Sequence, residues 1–148
     1  MRRKFDRSRD AGQALVEFAL TVLVVLVVVF WAWELVMLMY TYNVMAGAAK
    51  EGVRYGIVHG TGNSTLCSLP CSGVCGTSSA CITNVVTNYA KYSVHDISGM
   101  TVTVTYPDGS AKTPNRVRVA VSYPYVPWFA LGWSPPVINA AAEGRIVN

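Results

Sequence analysis

Between Ala14 and Tyr42 the chain carries only two charged residues, Glu17 and Glu34, and Phe18 to Trp33 carries none. About 20 apolar residues cross the hydrocarbon core of a bilayer. Lipid offers the backbone no hydrogen-bond partners, so a single span must be a helix. Val22 to Val29 is dense in β-branched residues, which would weaken that helix in water but not in lipid. Trp31, Trp33, Tyr40 and Tyr42 suit the outer interface, where amphipathic rings settle. The whole chain has 148 residues and is only 14% charged, against about 25% for a typical soluble domain. One small domain plus an anchor accommodates these facts.

The net charge of +4 is unevenly placed. Before Gly12, Arg2, Arg3, Lys4, Arg7 and Arg9 outnumber Asp6 and Asp10. By the positive-inside rule this head stays cytoplasmic and the chain after the apolar run is exported. The basic excess therefore describes membrane topology, and no nucleic-acid partner is expected.

The helical pattern continues past the bilayer. Asn43 to Tyr55 has no proline, and Ala48, Gly52 and Gly56 are spaced four apart, which places small residues on one helix face. Lys50, Glu51 and Arg54 fall mostly away from it. One helix is expected from about Ala14 to about Val58, its outer half projecting beyond the membrane. Its small-residue row packs either onto the exported domain or onto neighbouring helices; one face can do both.

The expected organisation is a basic leader at 1–12, the long helix at 13–58, a cysteine-rich loop at 59–80 and an exported head at 81–148. All four cysteines, Cys67, Cys71, Cys75 and Cys81, lie after the apolar run in a Gly/Ser-rich stretch. An even count in an exported segment reads as disulfides, with three pairings open. A zinc site is the lesser reading, because the C-x3-C-x3-C-x5-C spacing lacks paired C-x2-C units; no metal is expected. Ile82, Val85, Val86, Tyr89 and Ala90 then recur at helical spacing, extended by Ser93 and Val94, with Ser78 or Ser79 as cap.

Period two follows. Val102, Val104 and Tyr106 alternate with threonines, and Val117, Val119, Val121 and Tyr123 alternate with Arg116, Arg118, Ala120 and Ser122. Two half-buried strands in a hairpin are predicted, with Val137 to Val147 as a third. Glu143 and Arg145 share a face of that strand and are expected to pair. The fold class is α+β: a long N-terminal helix, a second helix and a three-stranded antiparallel sheet. The connection from Pro124 to Pro136 holds Val126, Trp128, Phe129, Leu131 and Trp133. The preferred reading tucks it under the sheet as a satellite core; the other makes Trp128, Phe129 and Trp133 an interface loop for the membrane surface or a neighbouring subunit.

Glu17, just inside the apolar run, is the remaining oddity. A carboxylate at the centre of a membrane costs several kcal/mol, and such residues are functional by default. Glu34, near the outer end, is read in the first place as reaching interfacial water, the other reading being a pair with a basic residue on another subunit. Gly12-Gln13-Ala14-Leu15-Val16-Glu17-Phe18-Ala19-Leu20, Glu34, Tyr40-Thr41-Tyr42-Asn43 and Ala48 to Tyr55 together resemble the TadE-like family of the tight-adherence (Flp, type IVc) pilus system. The resemblance is close over roughly Ala11 to Val58.

It implies a minor pilin or pseudopilin of a bacterial inner membrane, with its head in the periplasm. A prepilin peptidase would cut between Gly12 and Gln13. Glu17 would become residue five of the mature chain and, with Phe18 beside it, the assembly contact, its carboxylate meeting the new α-amino group of a neighbouring subunit. Two charges too costly to leave alone in lipid are tolerable as a pair. The implied partners are the peptidase, other pilins, the inner-membrane assembly platform and the bilayer, with homo- or hetero-oligomers and incorporation in an extracellular pilus.

The competing reading is an unprocessed, single-pass anchored periplasmic binding domain. A secretory signal cut after Ala46 or Ala48 is disfavoured, since the apolar segment is too long and Glu34 interrupts it. No enzyme and no cofactor are expected. His59 and His95 sit in no catalytic or metal motif, Gly60-Thr61-Gly62 is too short for a phosphate loop, and Asn63-Ser64-Thr65 is a weak glycosylation match in a bacterial chain.

Overall fold

A computed structural model describes residues 3–59, 79–129 and 134–147, with side chains from residue 12 onward. Its order is α1 (Arg3–Val58), α2 (Ser79–Ser93), β1 (Thr101–Thr105), β2 (Arg116–Pro124) and β3 (Val137–Arg145). The α+β expectation is borne out. Two compact units divide the chain, Met1–Met37 and Leu38–Asn148.

In the first unit α1 begins at Arg3, well before the expected start near Ala14. No proline precedes Val58, and a lone glycine such as Gly12 costs a helix only about 1 kcal/mol. From Gly12 onward α1 is long and apolar enough to cross a membrane, and the most apolar window has no buried residue.

The second unit is built on one antiparallel sheet of order β1-β2-β3. The alternation read in the sequence is the alternation that folds. Val117, Val119, Val121 and Tyr123 of β2 are buried, and across the register they face Gly144, Ala142, Ala140 and Ile138 of β3. Val102 and Val104 of β1 pack on the same core. That face is covered by Met45, Ala48, Ala49 and Val53 of α1 and by Ile82, Val86 and Ala90 of α2. Small residues set how close the layers come. A Cβ on Gly144 would lie 2.5 Å from Ile57 Cδ1 and 2.7 Å from Val53 Cγ1, so a side chain at that point of β3 would have to push α1 residues aside.

Tyr89 departs from its expected place in the α2 core row. It is 44% exposed, and its hydroxyl reaches over Gly47, where a Cβ would stand 3.1 Å away. Cys81, buried in the first turn of α2, is disulfide-bonded. Cys67, Cys71, Cys75 and the candidate cap Ser78 lie outside the described residues, as do the Gly60-Thr61-Gly62 and Asn63-Ser64-Thr65 stretches.

On the outer face of the sheet the expected Glu143–Arg145 pair does not form. Arg116 instead binds Asp108 through Nε and Nη2 at 3.1 and 3.0 Å and Glu143 through Nη1 at 3.0 Å. Arg116 and Arg145 are direct cross-strand partners, and like charges placed so repel. Arg145 turns away and donates from Nε to the Pro114 carbonyl at 3.0 Å.

Candidate processing and assembly site

Gln13, Val16, Glu17, Leu20 and Thr21 line one side of α1 just after Gly12, because residues three and four apart share a helix face. Glu17 is exposed there among exposed Leu15, Val16 and Phe18, the last at 70%. Its backbone carbonyl accepts a bond from Thr21 Oγ1 at 2.9 Å, which spares that hydroxyl from apolar surroundings. A Cβ on Gly12 would meet nothing within 4 Å. Whatever glycine contributes at this position is conformational and not a matter of space. This face presents the Glu17 carboxylate among exposed apolar side chains.

Glu34 is not open to water, contrary to the sequence reading. It is 3% exposed, while Trp31, Trp33 and Leu35 around it are exposed. Its position near the end of an apolar run did not reveal that burial.

The small-residue row is spent inside the chain. Ala48, Gly52 and Gly56 are all buried. Beside Gly52 lie Val86, Ile82 and Val119, and beside Gly56 lie Ile82 and Val117. This row packs α1 onto α2 and β2, while Lys50 and Arg54 face solvent.

The connection after β2 does not tuck under the sheet over its described part. Tyr125 is buried, but Val126, Trp128 and Phe129 are exposed, Trp128 at 65%. The core face is already filled by α1 and α2, which leaves no room beneath it. Leu131 and Trp133 lie outside the described residues. The loop base is closed by Tyr125 N donating to the Pro136 carbonyl at 3.1 Å. The Trp128 ring stands 6.0 Å from the His95 ring, tilted by 36°.

Beside it, Tyr123 donates its hydroxyl to the Asp96 carbonyl at 2.6 Å, a tie that sequence reasoning missed. Burial, reinforced by the Asp96 charge, raises the Tyr123 pKa. The Asp96 carboxylate accepts from the Ser98 backbone and hydroxyl at 2.7 and 2.9 Å, which lowers its pKa. His59 closes the end of α1, stacked on Tyr55 with centroids 4.0 Å apart.

No curated protein and no solved structure matches the chain. One family does match, on the stretch that the sequence had singled out, beginning at Gly12 and ending at Arg54. Over residues 12–54 the chain is similar to TadE-like proteins.

Proposed function

We propose that the chain is a minor pilin or pseudopilin of a tight-adherence (type IVc) pilus system, cut by a prepilin peptidase between Gly12 and Gln13. One observation carries this reading: the family match starts at Gly12, and Glu17 stands one helix turn beyond Gln13, exposed on an apolar surface. Cleavage would create an α-amino group at Gln13. A carboxylate one turn into a helix is favoured by the macrodipole, and in lipid it gains most from a cation supplied by a neighbouring subunit. Phe18 adds apolar contact at the same joint. Peptidase access requires local unwinding of α1, and Gly12 is its weakest helix former in that region.

In this reading the leader is cytoplasmic, α1 crosses the bacterial inner membrane once, and the head is periplasmic before it enters a pilus or its base. The role is structural, without catalysis or cofactor, and a disulfide framework around Cys81 staples the segment before α2. Partners are the peptidase, other pilins and the assembly platform. A second reading, an unprocessed anchored binding domain, draws support from the unbroken helix across Gly12. N-terminal sequencing of the protein from native membranes or sheared pili separates the two: Gln13 first supports the pilin, Met1 the anchor.

A further inference from the structure

The ladder between β2 and β3 fixes which way each backbone group of β3 points. Tyr125 N donates to the Pro136 carbonyl at 3.1 Å, and Ile146 N donates to the Asn115 carbonyl at 2.8 Å. Both bonds continue the register that runs from Arg116↔Arg145 to Pro124↔Val137. In an antiparallel pair bonded residues alternate, and each turns its N–H and its C=O to the same side. Ile138, Ala140, Ala142 and Gly144 therefore bond to β2. Val137, Asn139, Ala141, Glu143 and Arg145 turn theirs the other way, along the free edge of the sheet. Among the described residues no hydrogen bond reaches those backbone groups. Val147, next in the outward series, does find a partner, its N–H donating to the Ile57 carbonyl at 3.4 Å. α1 thus closes the edge at that end, and the open stretch runs from Val137 to Arg145.

This edge lacks the devices that keep strand edges from pairing. No bulge interrupts the register, and residues 137 to 142 carry neither charge nor proline. β1, at the other edge of the sheet, is guarded by its shortness. Arg118, Ala120 and Ser122 of β2 turn to Thr105, Thr103 and Thr101 by the same alternation, which leaves only Val102 and Val104 of β1 facing outward. Beside the Val137 end of β3 runs a mostly apolar groove whose lining includes Leu38, Met39 and Tyr42 of α1 and Ile138. Met39, Tyr42 and Val137 are exposed there.

We infer that the β3 edge takes an added antiparallel strand from another polypeptide. Backbone donors and acceptors set along one line recognise an extended main chain, and pockets beside them choose its side chains. Residues opposite each other across strands share a face, and Ile138 faces the core. The residue opposite Ile138 therefore lies over the groove and must be large and apolar, with no charge on the residues opposite 139 to 142. A basic residue opposite Glu143 completes the match. Antiparallel order is the more stable per residue. A second copy of this chain is a poor occupant. Its β1 offers only two outward residues, and its β3, paired over the full edge, sets Gly144 opposite Ile138 and leaves the groove empty. The edge is the same whether or not the chain is cut at Gly12.

The probe is an acetylated, amidated peptide, Lys-Val-Thr-Val-Thr-Leu-Thr, added to the full chain in detergent micelles. In the free chain the Asn139, Ala141 and Glu143 amides should exchange with solvent roughly tenfold faster than those of Ala140 and Ala142. Saturating peptide should slow the first group by about tenfold or more. The same peptide N-methylated at its threonines keeps every side chain but loses donors that face β3, and it should not bind. Ala141→Pro deletes one outward N–H and leaves the β2 ladder whole, so it should abolish binding with little change in melting temperature. Slow exchange of Asn139 and Ala141 in the free, dilute chain would mean that the chain covers its own edge, and overturns the proposal. Protection that grows with chain concentration alone assigns the edge to a second copy and overturns the foreign strand. Unchanged exchange with the peptide present, equal slowing by the N-methylated form, or full binding by a folded Ala141→Pro chain contradicts it as well.

Discussion

Gly52 of α1 and Val86 of α2 stand so close that a Cβ on residue 52 would lie 2.5 Å from Val86 Cγ2. The contact fixes how far apart the two helices of the head sit. Gly52→Val would drive a branched side chain into Val86, Ile82 and Val119. Overpacking of this kind costs about 1–3 kcal/mol. The head should melt several degrees lower in detergent, whereas Gly12→Ala, with open space around it, should leave the melting temperature unchanged. A Gly52→Val head as stable as the parent would mean that α1 and α2 do not pack in this way.

The bond from Tyr123 to the Asp96 carbonyl ties β2 to the turn after α2. Tyr123→Phe removes the donor and should cost about 1 kcal/mol. Burial raises the folded-state pKa of this phenol. Its contribution is therefore complete below the unfolded value of about 10 and is lost as pH rises through the higher folded value. Denaturation curves of parent and variant should converge above that range; a constant gap into strong alkali would deny the phenol its role.

Asp108 titrates with the opposite sign. Hydrogen bonds from the Arg116 side chain and then its backbone hold the Asp108 carboxyl below the usual range. Its stabilisation is present above the unfolded value of about 3.9 and fades as pH falls through the lower folded value. Asp108→Asn should flatten the acid limb of a stability–pH curve. The pair is exposed, so the effect at neutral pH is small. An unchanged acid limb would show that the bridge does not persist in solution.

Glu17→Ala should abolish pilus assembly, or capture of partner pilins, while membrane insertion remains intact, because an apolar residue enters lipid more readily than a carboxylate. Normal pili from that variant would sink the pairing mechanism.

Much of this was legible in the sequence. The segment from Phe18 onward reads as long and apolar enough to cross a membrane, and the alternation in Arg116–Pro124 dictated which side chains meet the core. What escaped was whatever depends on partners brought from a distance. Glu143 pairs with Arg116 rather than Arg145 because strand register sets two arginines face to face, and register is invisible in either strand alone. The exposure of Trp128 and Phe129 follows from competition for one sheet face that α1 and α2 already hold. The small-residue row was read as a packing face; Ile82, Val86, Val117 and Val119 identify its neighbours.

The central claim concerns one peptide bond. Intact mass and N-terminal sequencing of the chain, recovered from native membranes and from sheared pili, measure it directly. A mature chain beginning at Gln13 is the expected result, with loss of that species in Gly12→Ala and in cells lacking the peptidase. A chain that still begins at Met1 in both fractions would contradict the processed-pilin reading and leave the membrane-anchored domain.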